Sequence, residues 1–222
     1  MAAQFERRAL VVRGGWDGHL PIETTDDMIP LLTESGFAVE IVESLDVYLD
    51  AEKLAAADLV VQCWTGGEIT REQADGLVSA VRAGTGFAGW HGGIIDSFHG
   101  SLPYQRLTGG QFMYHPPGFI DYEVVVRPDR ADHEIVQGIS SVSVCTEKYW
   151  VLSDALNDVL ADCTFSPTDD SDWRQSVVMP VVWTRHWGKG RVFVNAVGHR
   201  VEDLHVPEIR TITHRGMLWA SR

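Results

Sequence analysis

Thr85-Gly86-Phe87-Ala88-Gly89-Trp90-His91-Gly92-Gly93-Ile94-Ile95-Asp96 is the stretch whose reading decides the fold. Gly86 to Trp90 is an apolar run too short for a helix, and it reads as a buried strand. The run ends on His91, and two glycines follow at once. A Gly-Gly pair directly after a strand permits the positive φ or tight backbone of a sharp strand-to-helix turn. Such a turn lifts His91 clear of the sheet edge, into the crevice where open α/β sheets bind ligands. Enzymes with a nucleophile elbow place Ser or Cys at this point; here the position holds an imidazole. A histidine that merely caps the turn is the plain alternative, and other histidines at predicted strand ends favour the functional reading.

Toward the N-terminus the pattern alternates strand and helix. Arg8 to Arg13 is an apolar strand followed by the loop Gly14 to His19. Thr24 or Thr25 can cap a helix that runs to Ser35 and stops at Gly36. Phe37 to Val42 and Asp58 to Cys63 are the next strands, with a short helical turn at Leu54 to Ala57 between them. Thr70, followed by Glu72-Gln73, opens a helix over Ala74 to Arg82. Strands alternating with helices mean βαβ units and a parallel sheet covered on both faces.

After Gly100 the pattern changes. Leu102 to Leu107 reads as a brief helix and Gly109 to Pro117 as a loop. Asp121 to Arg127 alternates, which suits an antiparallel or edge strand. Val142 to Glu147 and Asn157 to Phe165 are further strands, and Ser166 to Gln175 is a polar loop. Pro180 to His186 and Gly190 to Val197 form a hairpin, with His199 just beyond it. Pro207 to Trp219 closes the chain as a helix. No repeat or linker interrupts the 222 residues, so residues 1–222 are expected to form one three-layer α/β domain with a mainly parallel central sheet.

An apolar share of 45% supplies a core, and a net charge of −13 excludes a basic nucleic-acid or anionic-membrane binder. No run approaches the ~20 apolar residues of a membrane span, and the first residues show no secretory leader. Three scattered cysteines without a CxxC pair suit a reducing compartment, so the cytoplasm is the expected location.

Five of the nine histidines, His19, His91, His115, His133 and His199, fall at predicted strand ends or in glycine-rich turns. A neutral imidazole serves both as base and as metal ligand. No HExxH-type motif is present, so spacing alone does not establish a metal site. Glu147 ends an apolar strand and precedes Lys148, Tyr149 and Trp150. Shielding there should raise its pKa and suit it to acid–base work or cation binding, unless it simply pairs with Lys148 or an arginine. Trp16, Trp90, Tyr114, Tyr149 and Trp150 lie near these elements, and aromatic faces stack on sugar rings as well as filling cores. Cys63 has no elbow or base nearby in sequence, and no GxGxxG or P-loop occurs.

Gly89-Trp90-His91-Gly92-Gly93, Gly109-Gly110-Gln111-Phe112 with His115-Pro116, His133-Glu134-Ile135, and Thr146-Glu147-Lys148-Tyr149 occur in that order. Pro180-Val181-Val182-Trp183, Gly188-Lys189-Gly190-Arg191-Val192-Phe193 and Gly198-His199 complete the set. This ordered set resembles the ThuA-like (trehalose utilisation) proteins over most of the chain. Glu134 stands where the family usually has Pro, and Thr146 where it usually has an acidic residue. The resemblance implies a fold similar to class I glutamine amidotransferases, with a flavodoxin-like sheet. In those enzymes a Cys occupies the elbow and a His with a nearby Glu follows a late strand; here His91 holds the elbow, and His199 with Glu202 resembles the late pair.

The resemblance also implies carbohydrate catabolism, with a small sugar or keto-sugar (a trehalose-type disaccharide or 3-keto-glycoside) as partner. Hydrolysis, elimination or isomerisation is expected rather than amidotransfer. His91, Glu147 and His199 are the expected catalytic residues, and His19, Trp90, His115 and Tyr149 the expected substrate contacts. A divalent metal such as Zn would be held by His91, His115 and His199, or by His91 with two of His19, His115, His133 and His199. Glu147 would then serve as acid–base partner rather than ligand. A homo-oligomer is compatible with the sequence. The rival class is a non-catalytic sugar-binding or assembly protein on a degenerate scaffold.

Overall fold

The continuous apolar runs at residues 9–12, 59–63 and 86–90 become strands buried on both faces, as their lack of alternation requires. The computed structural model describes residues 7–222, so the reading of a missing leader falls largely outside the described residues. In chain order, β1 (Arg7–Gly15), α1 (Pro21–Glu34), β2 (Phe37–Val42), α2 (Ala51–Ala56), β3 (Leu59–Thr65), α3 (Arg71–Ala83) and β4 (Gly86–Trp90) form the alternating half. Then follow α4 (Gly92–Ile95), α5 (Leu102–Thr108), β5 (Gly110–Tyr114), β6 (Ile120–Val126), β7 (Ser141–Thr146) and β8 (Trp150–Ser153). The chain continues with β9 (Asp158–Phe165), β10 (Val177–Trp187), β11 (Gly190–Asn195), α6 (Val201–Leu204) and α7 (Pro207–Ala220).

Nine strands make one sheet in the order β2-β1-β3-β4-β11-β10-β9-β6-β7, and β5 pairs with β8 in a separate ribbon. From β2 to β11 neighbours run parallel, and from β11 to β7 they run antiparallel. The sheet is therefore mixed, and the expectation of a mainly parallel one is corrected. The cause is the tight hairpin at Trp187–Gly190, which reverses the chain between β10 and β11. β9, β6 and β7 then add on antiparallel, and only β6 had declared itself by alternation.

Right-handed crossovers fix the layers. The chain steps outward from β1 to β2 and then back across to β3 and β4, so α1 lies on one face and α2 and α3 on the other. α7 packs beside α1, and α5 beside α3. Thr70 and Gln73 make the reciprocal capping box that starts α3. α1 begins earlier than its threonines suggested. Leu20 takes a left-handed conformation before Pro21, and Thr24 and Thr25 instead bond back to the carbonyls of Leu20 and Pro21. Gly110–Tyr114, expected as loop, is a strand because Trp150–Ser153 pairs with it. Among the described residues no helix is long and apolar enough to cross a membrane.

Candidate active site

The carboxyl edge of the parallel strands carries the site. His19 sits in the short 3-10 turn Asp17–His19 after β1, Thr65 ends β3, His91 follows β4, and His199 follows β11. Glu147 and Tyr149 come from the connection between β7 and β8, and His115 from the connection after β5.

The elbow is strained at the histidine itself. His91 has φ 48° and ψ −144°, a region that costs a non-glycine residue about 1–3 kcal/mol. The two glycines behind it meet the second of the two expected needs, a tight backbone rather than a positive φ: they leave room. A Cβ on Gly92 would overlap Cε1 and Nδ1 of His19, and one on Gly93 would press on Cα and Sγ of Cys63. Buried side chains hold the turn from below. Gln62 Nε2 donates to the Gly93 carbonyl at 3.1 Å, and Tyr104 Oη donates to the Ile94 carbonyl at 2.7 Å. Tyr48 Oη donates in turn to Gln62 Oε1 at 2.8 Å.

Four imidazoles surround the Glu147 carboxylate. From Oε2, His91 Nε2 is 3.1 Å away, His199 Nδ1 3.2 Å and His19 Nε2 3.8 Å; His115 Nε2 is 3.4 Å from Oε1. One ligand atom each from His19, His91, Glu147 and His199 lies within 4.8 Å of the others. Tyr149 stacks on His91 with ring centroids 4.1 Å apart, and its Oη is 3.5 Å from His19 Nε2.

Proton positions follow from the partners. His91 Nδ1 lies 2.9 Å from the Ala196 carbonyl, which can only accept, so Nδ1–H donates and Nε2 keeps its lone pair. Burial pushes this imidazole down to about 4, so it is neutral at pH 7. On Glu147, burial pushes the carboxyl up, but the imidazoles of His19, His199 and His91 outweigh it and hold the group well below the usual carboxylate range. The expected rise is thus reversed. These two groups do not make a simple ion pair, because that would need His91 charged and burial keeps it neutral. His91 Nε2 and Glu147 Oε2 stand 3.1 Å apart, close enough for one cation to be held by both. His199 Nδ1 is buried and lacks an aligned hydrogen-bond partner, although Glu147 is 3.2 Å away.

The donor set fits a divalent first-row ion. Three imidazoles and a carboxylate suit zinc and its neighbours, and bonds of 2.0–2.1 Å to a tetrahedral ion set ligand atoms roughly 3.4 Å apart. The distances of 3.1, 3.2 and 3.8 Å lie around that value. Ligating histidines usually donate their other N–H to a carbonyl or similar acceptor, as His91 does; His19 Nδ1 is 2.9 Å from Thr65 Oγ1.

Several sequence expectations change in detail. His19, expected as a substrate contact or as one of the alternative ligands, joins the four-atom group, whereas His115 stands on the other carboxylate oxygen with 29% of its side chain exposed. Glu147, expected beside a metal, is itself in the group. His133 lies away from it, packed on Trp219 at the end of α7, which reaches back to the start of β4. Glu202 is exposed, and the carboxylate facing His199 is Glu147. Trp90 cannot stack on a ligand: it is 1% exposed and its indole presses on Gly198. Neighbouring residues of a strand point to opposite faces, so its proximity in sequence to His91 misled. Lys148 turns to the Thr164 carbonyl rather than to Glu147. Phe119, against the His199 ring, carried no sequence signal because it follows an aperiodic Pro-Pro-Gly turn.

A family model described as trehalose utilisation, ThuA, matches residues 8–220. No curated protein matches in sequence. Among solved structures, a ThuA-like protein from Bacteroides uniformis superposes with a TM-score of 0.79 at 17% identity, over 99% of this chain and 93% of its own. One from Parabacteroides merdae gives 0.74 at 17% identity, over 96% and 89%. A cytoplasmic protein from Salmonella typhimurium LT2 gives 0.69 at 14% identity, over 97% and 100%. At these identities the likeness is one of fold.

Proposed function

The chain belongs to the trehalose utilisation (ThuA) family, and from this we propose that it is a cytoplasmic enzyme of carbohydrate catabolism acting on a sugar or keto-sugar. His19, His91, Glu147 and His199 would hold a divalent ion such as zinc. When bound, that ion supplies Lewis-acid polarisation of a carbonyl or hydroxyl oxygen. The observation that carries the reading is the convergence of one ligand atom each from His19, His91, Glu147 and His199 within 4.8 Å of one another.

The remaining residues divide the work of binding and proton transfer. His115 Nδ1–H donates to the Pro116 carbonyl at 2.7 Å, which leaves Nε2, at the exposed side of Glu147, free to take a proton from substrate. Burial pushes the Tyr149 hydroxyl well up, with Glu147 adding to the rise, so it stays protonated and can donate to a substrate oxygen. The parallel strands run in the order β2-β1-β3-β4-β11. That order supports a flavodoxin-like core with its site at the carboxyl edge. A neighbour described as cytoplasmic supports the location.

Elemental analysis of protein purified without a His-tag tests this, together with turnover of a 3-keto-glycoside. About one equivalent of metal and turnover are expected in the wild type, both lost in His91→Ala with its circular dichroism unchanged. Less than about a tenth of an equivalent, with turnover indifferent to chelator, would leave a metal-free pocket.

A further inference from the structure

Two exposed aromatic rings stand against members of the histidine cluster. Trp16 is 58% exposed, and its indole meets the His19 ring edge-on at 4.9 Å. Phe119 is 42% exposed and meets the His199 ring at 5.0 Å. Those two imidazoles are themselves 4.9 Å apart, so the aromatic rings stand on adjoining members of one group.

Large aromatic side chains left in water forgo the gain of burial, yet both are held in place. Trp16 lies across Gly18, where a Cβ would overlap the indole. Phe119 is backed by the Arg200 guanidinium, 4.2 Å from the ring centroid. Arg200 is tied in turn to Asp203 Oδ1 at 3.4 Å and to the Cys145 carbonyl at 3.1 Å. Asp203 is buried and accepts from Thr146 Oγ1 at 2.6 Å; Thr146 is the residue before Glu147. The Phe119 ring and the central carboxylate thus share one hydrogen-bonded support.

Pre-positioned apolar faces beside a few convergent polar groups describe a small-molecule site. The C–H face of a pyranose stacks on an aromatic ring while its hydroxyls reach polar neighbours. An acidic sugar fits less well, because the whole chain carries a net charge of −13. We propose that Trp16 and Phe119 form a stacking rim that receives a neutral pyranose ring and sets it over His19 and His199. The inference rests on the carbohydrate reading above, but it needs no metal.

Calorimetric titration with trehalose and with glucose, and separately with zinc, tests the rim on Trp16→Ala, Phe119→Ala, Trp16→Phe and Phe119→Tyr. Each alanine variant should bind the better of the two sugars about tenfold more weakly, and the aromatic replacements should stay within about threefold of the wild type. Zinc affinity should change by less than about twofold in all four. Alanine variants that bind sugar like the wild type would overturn the proposal. So would a parallel loss of sugar and zinc, which would make the two rings structural props of the cluster. A wild type that binds neither sugar removes the rim, whatever zinc does, while the carbohydrate reading stands or falls on turnover of the 3-keto-glycoside. A wild type that binds sugar through the rim but takes up no zinc would sink only the metal reading.

Discussion

A single methyl group added at Gly92 has nowhere to go, because its Cβ would overlap the His19 ring and come within 3.2 Å of the Tyr149 hydroxyl. Overpacking a filled site costs typically about 1–3 kcal/mol, and here the ring that must yield is one of the proposed ligands. Gly92→Ala should therefore lose at least about tenfold in zinc affinity, the scale of a misplaced supporting contact, with a lowered Tm. Gly100→Ala is the control, since nothing lies within 4 Å of its Cβ position. A Gly92→Ala protein that titrates zinc like the wild type would show that His19 has freedom the packing denies. At this scale the sequence was legible wherever a residue follows a strand directly: His91 and His199 were singled out for that reason, and they meet at Glu147. It was illegible where side-chain direction or an unsignalled turn decides, as at Trp90 and Phe119.

The helices on one face are joined by Asp27 of α1. Its Oδ1 is 2.8 Å from His205 Nε2 at the end of α6, and its Oδ2 takes the Arg210 guanidinium of α7. Burial pushes this carboxyl up, but His205 and Arg210 outweigh it and hold it below its ordinary value. A depressed folded pKa means stabilisation that is present above the unfolded value, roughly 4, and lost as pH falls through the lower folded one. Asp27→Asn should thus cost no more than about 1 kcal/mol at pH 7, a value already reduced for partial exposure, and the difference should shrink below about pH 4. Urea melts of both proteins at pH 7 and pH 3 measure it; a gap that stays constant would assign the loss to packing. Element boundaries are legible where caps or glycines mark them, as at Thr70 before α3 and Gly36 after α1. They failed at Leu20, whose left-handed backbone has no compositional sign, and at the β5–β8 ribbon, whose strands exist only through each other.

At the scale of the whole molecule, local periodicity revealed the parallel strands but not who their neighbours are. β11 is the clearest case. Its sequence predicts one arm of a hairpin, and it is also the seam between the parallel and antiparallel halves, pairing with β4 on one side and β10 on the other. Pairing across a hundred residues leaves no trace in a window of ten. The seam has a consequence for synthesis. The strand that joins the halves is the last of this sheet's strands to leave the ribosome, so a nascent chain carries two incomplete sheets, with β4 and β10 each presenting an open edge. Unpaired edges invite wrong partners, and the wait would make this protein a client for chaperones until residues 190–195 emerge. A fragment ending at residue 189 should be cut rapidly by protease while the full chain resists; equal resistance would mean that one half closes without its seam.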